Sequence, residues 1–305
     1  MTLQAGTSVI ALRSHRWWLA VAFYFPVVSL AHLEFSHWLV RLRSTQFGVF
    51  AFKDLVPFVA VASGLALIAW VLWKARRSAR PGPVLGYWLI WAICIGLSDR
   101  FLTYSVPEYA HYPQYAALAW LLARALDPDR SRLLVGRVLF WVTLLGTIDE
   151  IQQYVWLAPS YGEYLDFNDI LANLLGAAAG VLIYYGFEPA GNFRSERSVP
   201  LAEILVSVVL YVGVVAGLQT GRLAASPVSS VPPGGLVRDA DGTLRLYLQR
   251  RPDAYGSFIA GPYRGRYWAL DPLSGLALIL GGGVVFGTLP RVLRRDSRPV
   301  RIGVD

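Results

Sequence analysis

Cysteine is almost missing from this chain. Cys94 is the only one in 305 residues and lies inside an apolar run, which excludes an intramolecular disulfide and argues against a thiolate metal centre. Charge is scarce as well: Asp, Glu, Lys and Arg make up 16% of the residues, against about a quarter in ordinary soluble domains. The net charge of +8 would suit nucleic acid, but the cations form no single patch, so nucleic-acid binding is set aside. They fall in short runs between apolar segments, the pattern of cytoplasmic anchoring. No repeat of solenoid period is present. No charge sits in the middle of an apolar segment, as a proton relay would need. Inverted repeats with interrupted helices, which mark many transporters, are also lacking. The first apolar segment is too long for a signal peptide and has no small-residue cleavage site, so it is expected to be retained.

What is present is apolar surface. Hydrophobic residues make up 55% of the chain, and its 11 Trp suit a water–lipid interface. About eight segments are long enough for a hydrocarbon core of about 20 residues: Trp17–His32, Leu55–Trp73, Val84–Leu97, Tyr109–Ala125, Leu133–Gln153, Asn168–Phe187, Leu201–Leu218 and Leu273–Val292. The expected fold class is therefore all-α, a polytopic transmembrane helix bundle with a small β-rich extracytoplasmic insertion. Three parts are expected: two N-terminal spans in 1–82, a four-helix core in 83–187, and two C-terminal spans in 188–305 flanking a loop at 219–271.

Loop charges give the expected orientation. Lys74, Arg76, Arg77 and Arg80 follow the second segment, and Arg124, Arg130, Arg132 and Arg137 follow the fourth. Arg194 and Arg197 follow the sixth; Arg291, Arg294, Arg295, Arg298 and Arg301 close the eighth. Basic loops stay in the cytoplasm, so both termini should be cytoplasmic, in a bacterial inner membrane. Arg41, Arg43 and Lys53 run against this pattern, and HWLVRLR (His37–Arg43) is readable as an interfacial helix. In the loop, AASPVSSVPPGG excludes regular structure, and LVRDADGTLRLYLQ alternates around Asp241-Gly242 as a hairpin does. Asp239 and Asp241 resemble part of a calcium loop, but the later Glu ligand is missing, which favours a plain turn.

The polar residues concentrate on the acidic side of this topology. Asp166, Asp169, Asn173, Gly176 and Gly180 fall at i, i+3, i+7, i+10 and i+14, one stripe of a helix. Gly176 and Gly180 form a GxxxG pattern that admits a close neighbour. Asp149 and Gln153 are one turn apart with Glu150 beside them; Glu108, His111 and Tyr115 form a third stripe. All three should open to the same outer surface. Arg100 and Asp99, at the end of the third segment, are expected at that level, with Arg100 a candidate counter-charge. Bland roles compete. Asp166 is well placed as an N-cap and Asp169 in a first turn favours the helix dipole, whereas Asp149 and Glu150 at a C-terminal end oppose it. Asn173 suits an interhelical hydrogen bond, and His111 suits a structural one equally well.

These elements resemble the VanZ-like family. The matching residues are His111 and Tyr115 in EYAHYPQYAALAWLL, DEIQQ (Asp149–Gln153), and DFNDILANLLGAAAG with Asp166, Asp169, Asn173, Gly176 and Gly180; the likeness covers about Val84–Gly186. Where family members usually carry an Arg before the second motif, this chain has Glu163. The resemblance implies action at the cell surface and no particular reaction.

Two functions of different class follow as expectations. In the first, the outward pocket of Glu108, Tyr115, Gln153, Asp166, Asn173 and Arg100 engages a membrane lipid, an envelope glycolipid or a cell-wall precursor. In the second, the protein is a membrane-embedded metal-dependent hydrolase or transferase acting on a lipid-linked substrate. His111 would then serve as base, and Asp149, Glu150, Asp166 and Asp169 would hold a divalent cation. Oxygen ligands favour Mg2+, Ca2+ or Mn2+ over Zn2+. No nucleophile–base pair is readable, which favours the first.

Overall fold

A computed structural model describes residues 15–31, 34, 38, 41, 46–47, 50–78, 80–160, 162–187, 200–240, 242–261 and 265–293. The His37–Arg43 segment lies largely outside these residues, as do Asp241, Arg194, Arg197 and the basic run from 294 onward.

Each of the apolar segments overlies a helix. They are α1 (residues 15–31), α2 (Phe52–Ala75), α3 (Pro81–Phe101), α4 (His111–Leu126), α5 (Val135–Gln152), α6 (Phe167–Tyr185), α7 (Leu201–Gln219) and α8 (Pro272–Gly287), which α9 (Leu289–Leu293) prolongs. Four of these stretches are both long and apolar enough to cross a membrane: Pro81–Phe101, Phe167–Tyr185, Leu201–Gln219 and Pro272–Leu293. Of the others, α4 is 16 residues long and approaches the length of a span only together with the 3-10 turn (Val106–Ala110) that runs into it.

Local chemistry sets the helix ends near the site. Proline opens α3 and α8, where its missing N–H costs nothing and its fixed φ suits the first turn. Asp166 caps α6 by accepting from the N–H groups of Asn168 (2.8 Å) and Asp169 (3.4 Å). A short 3-10 turn (Val106–Ala110) precedes α4, and its capping box joins Ser105 to Glu108. A π turn (Gln153–Leu157) ends α5.

The bundle is organised around α6, which packs on α3, α4, α5 and α8. Its glycines permit the approach: a Cβ at Gly176 would lie 2.7 Å from the Tyr112 carbonyl oxygen, and one at Gly180 would overlap the Ala116 carbonyl. At the far end Asp127 is buried and accepts from the N–H groups of Ser131, Arg132 and Leu133 and from the Tyr185 hydroxyl, pinning the α4–α5 turn to the end of α6.

A short hairpin, β1 (Gln46–Phe47) and β2 (Phe50–Ala51), precedes α2, and among the described residues five short strands lie between α7 and α8. β4 (Leu236–Arg238) and β5 (Leu244–Tyr247) form the expected antiparallel hairpin, with Gly242 at φ +81 in its turn. β3 (Leu223–Ala224) adds to β5 in parallel, and β6 (Phe258–Gly261) pairs β7 (Gly265–Trp268). This segment rests on the helices through buried and half-buried polar contacts. Leu165 N–H donates to Leu248 O at 2.8 Å, and Tyr154 donates its hydroxyl to Tyr247 O at 2.9 Å. The Asn168 amide donates to Leu102 O and Trp268 O and accepts from Leu270 N–H, tying α3, α6 and β7 together. The strands therefore cover the end of the bundle that carries the acidic residues.

Candidate functional site

At that end α4, α5 and α6 bring three polar stripes together. His111 opens α4 and is buried; its Nδ1 lies 2.8 Å from Asn173 Oδ1 on α6 and 3.8 Å from Glu150 Oε1 on α5. Its Nε2 lies 3.6 Å from Asp169 Oδ2. Asn173 donates its side-chain N–H to Glu150 Oε1 at 3.4 Å, so one buried amide spans the histidine and the carboxylate. One donor atom from each of His111, Glu150 and Asp169 lies within 4.8 Å of the others, a set able to hold a metal ion.

A second layer surrounds this group. Asp149 is buried and accepts from the Tyr115 hydroxyl at 2.8 Å and, by a short contact, from the Ser29 hydroxyl on α1. Ser29 also reaches Gln152 Oε1 at 3.3 Å. Tyr115 stacks on His111, with ring centroids 6.2 Å apart. Glu108 accepts from Tyr104 N–H (2.8 Å) and Ser105 N–H (2.9 Å). Burial pushes its carboxyl up to about 8, with the negative charge of Asp166 adding to the effect. Asp166 is raised to about 6 by burial, even though two backbone N–H groups favour its ionised form.

Glu108, His111, Tyr115, Asp149, Glu150, Asp166, Asp169 and Asn173 thus gather at one end of the bundle. They divide into a histidine–carboxylate group, with Asp149 committed to hydroxyls and Asp166 to its cap. Gln153 falls on the π turn, and its side-chain nitrogen is buried with no hydrogen-bond partner among the described residues. Arg100 is not brought in. It is exposed, with its guanidinium 5.4 Å from the Phe101 ring, because the last turn of α3 directs it outward. Among the described residues no Lys or Arg pairs with Glu108, Asp149, Glu150, Asp166 or Asp169. Glu163 pairs instead with Arg251 of the strand-bearing segment.

Three residues escape sequence reasoning. Ser29 is the partner of Asp149, and the only hint is a small polar residue in an apolar run. Tyr164 and Tyr267, whose hydroxyls meet at 2.5 Å, join the strand-bearing segment to the loop before α6. In comparisons with known proteins, no family model, curated protein or solved structure matches this chain.

Proposed function

We propose that this is a multi-pass membrane protein of about eight spans whose polar site engages the headgroup of an envelope lipid or glycolipid. Both termini are cytoplasmic, the strand-bearing segment lies outside, and the membrane is the bacterial inner membrane; the alternation of basic and acidic loops supports this orientation. The observation that carries the functional reading is the convergence of five carboxylates, Glu108, Asp149, Glu150, Asp166 and Asp169, with no Lys or Arg pairing with them among the described residues. Carboxylates held at the edge of a bilayer are costly unless a ligand, a cation or a proton offsets them. Hydroxyl and ammonium groups of a headgroup supply donors of the required kind. The DEIQQ and DFNDILANLLGAAAG elements lie on the two helices that supply most of the cluster, and on that footing we assign the chain to the VanZ-like family.

A second reading, a hydrolase or transferase for a lipid-linked substrate, is favoured by His111, Glu150 and Asp169. Three protein ligands leave coordination positions open for water or substrate, as catalytic metal sites do.

Native mass spectrometry of the protein extracted in mild detergent tests the first reading. A discrete lipid retained one-to-one, and lost in Asp166→Asn/Asp169→Asn, is expected. Retention of no lipid, or equal retention by the double variant, overturns it. Orientation is tested with an impermeant thiol reagent on intact cells: Ser229→Cys should be labelled and Ser78→Cys should not. The reverse pattern would put the cluster in the cytoplasm.

A further inference from the structure

We propose that His111, Glu150 and Asp169 form a divalent-cation site suited to Zn2+ or Mn2+. The inference deepens the headgroup reading, whose location it shares, by naming what holds the ligand there.

Two separate observations lead to it. The first is the donor set: one imidazole and two carboxylates, from α4, α5 and α6, with donor atoms within 4.8 Å of one another. Such a set comes from three separate helices, and no capping or helix-dipole role requires His111 to be in it. The second is the way Asn173 fixes the imidazole. Its N–H faces Glu150 Oε1, which turns Oδ1 toward His111 Nδ1 at 2.8 Å. An oxygen acceptor there calls for a proton on Nδ1, so in the neutral ring the lone pair is on Nε2. Metal-binding histidines are oriented by a polar partner on the other ring nitrogen in this way.

Nε2 lies 3.6 Å from Asp169 Oδ2, too far for a good hydrogen bond. Two donors with bonds of about 2.1 Å to one ion, at tetrahedral to trigonal angles, lie about 3.4–3.6 Å apart. The separation therefore fits a shared cation. The nitrogen ligand moves the preference away from Mg2+ and Ca2+, which take oxygen, toward ions that accept both imidazole and carboxylate. The competing account is a doubly protonated imidazolium lying between two carboxylates. That account needs no metal and predicts no cation dependence.

The test uses the full chain, purified in detergent and stripped with EDTA, then titrated with Mn2+ or Zn2+. One Mn2+ should bind saturably, and its electron spin echo should carry the modulation of a coordinated imidazole nitrogen. At about 100-fold excess over its Kd, the ion should raise the unfolding temperature by several degrees. His111→Gln should abolish the nitrogen modulation. Should His111→Gln fail to fold, Asp169→Asn, at a side chain 18% exposed, should fold and lose Mn2+ affinity by at least about tenfold. Glu163→Gln, outside the group, should bind as wild type. Absence of saturable binding in the wild type, persistence of the nitrogen signal in His111→Gln, or undiminished affinity in Asp169→Asn overturns the site. Retained lipid without cation binding overturns this inference alone. Cation binding without retained lipid overturns the headgroup reading alone.

Discussion

Helices α6 and α7 are both 19 residues long and both apolar enough to cross a membrane. Protein surrounds 89% of the apolar stretch of α6 and only 6% of that of α7. What their small and polar residues meet accounts for the difference. α7 is mostly Leu, Val and Ile, which gain nothing by leaving lipid for protein, and its own glycine pair meets no helix: a Cβ at Gly213 would find nothing within 4 Å and one at Gly217 only Leu223. α6 carries Gly176, Ala177, Ala178, Ala179 and Gly180, which allow backbones to approach, and Asn173, which bonds to His111 on α4 and Glu150 on α5. Hydropathy finds both helices, and both carry a GxxxG pair; only the α6 glycines meet the backbone of another helix. The helix that holds the site is the one that surrenders apolar surface in order to pack.

The sharpest way to break this comparison is to place the same side chain on both helices. Gly180→Leu drives a side chain into the Ala116 backbone and should cost more than about 3 kcal/mol or prevent folding. Gly213→Leu on α7, with nothing within 4 Å of its Cβ, should stay within about 0.5 kcal/mol. Thermal unfolding of both variants in detergent decides, and equal effects would dissolve the distinction.

A smaller loss is expected from Asn173→Ala. It leaves His111 and Glu150 each short of a buried partner, at a cost of about 2–4 kcal/mol. Ser207→Ala on α7 removes only a bond to the carbonyl one turn back and should be close to neutral by the same measurement. Next in size is the polar tether of α7 itself, where Glu203 Oε1 receives Trp141 Nε1 and Arg137 Nε, each at 2.9 Å. Arg137→Ala should lower stability by about 1–2 kcal/mol. If it has no effect, the Arg137–Glu203 pair does not help hold α7.

The last effect is spread over pH. Two helix caps perform the same task with opposite outcomes. Asp271, at the start of α8, is held below its ordinary range by hydrogen bonds from Ser274, whereas desolvation pushes Asp166 up to about 6. Glu108 is pushed further, to about 8 from an ordinary 4.5. Below about 4.5 the Glu108 carboxyl is protonated in both folded and unfolded chains. Between there and about 8 the unfolded chain ionises first, so folding stability falls as pH rises and then levels off. Glu108→Gln should flatten the decline of unfolding temperature between about pH 5 and about pH 8. An unchanged slope would show that Glu108 ionises normally.

Much of this was legible in the residues. Run length located the helices, Asp239–Gly242 located the β4–β5 turn, and the i, i+3, i+7 spacing gathered the acidic stripes of α4 and α6. Partner choice was not legible, because it depends on how helices distant in sequence rotate against one another. Thus Ser29 reaches Asp149 across 120 residues of chain. Asn168, which begins the sixth apolar run, serves as the clasp between α3 and β7. Arg100 has the right level and charge for the cluster, but the direction of its helical turn keeps it out. The grouping of His111 with Glu150 and Asp169, rather than of four carboxylates, likewise required the packing of α4 against α6.

The central claim is that the polar end of α4, α5 and α6 receives a headgroup. A density map of the protein in nanodiscs of its native membrane lipid tests this most directly. Headgroup density within contact distance of Asp166 and Asp169 is predicted, with acyl chains running down the adjoining helices. Headgroup density confined to the perimeter, with none within contact distance of Asp166 and Asp169, would contradict it.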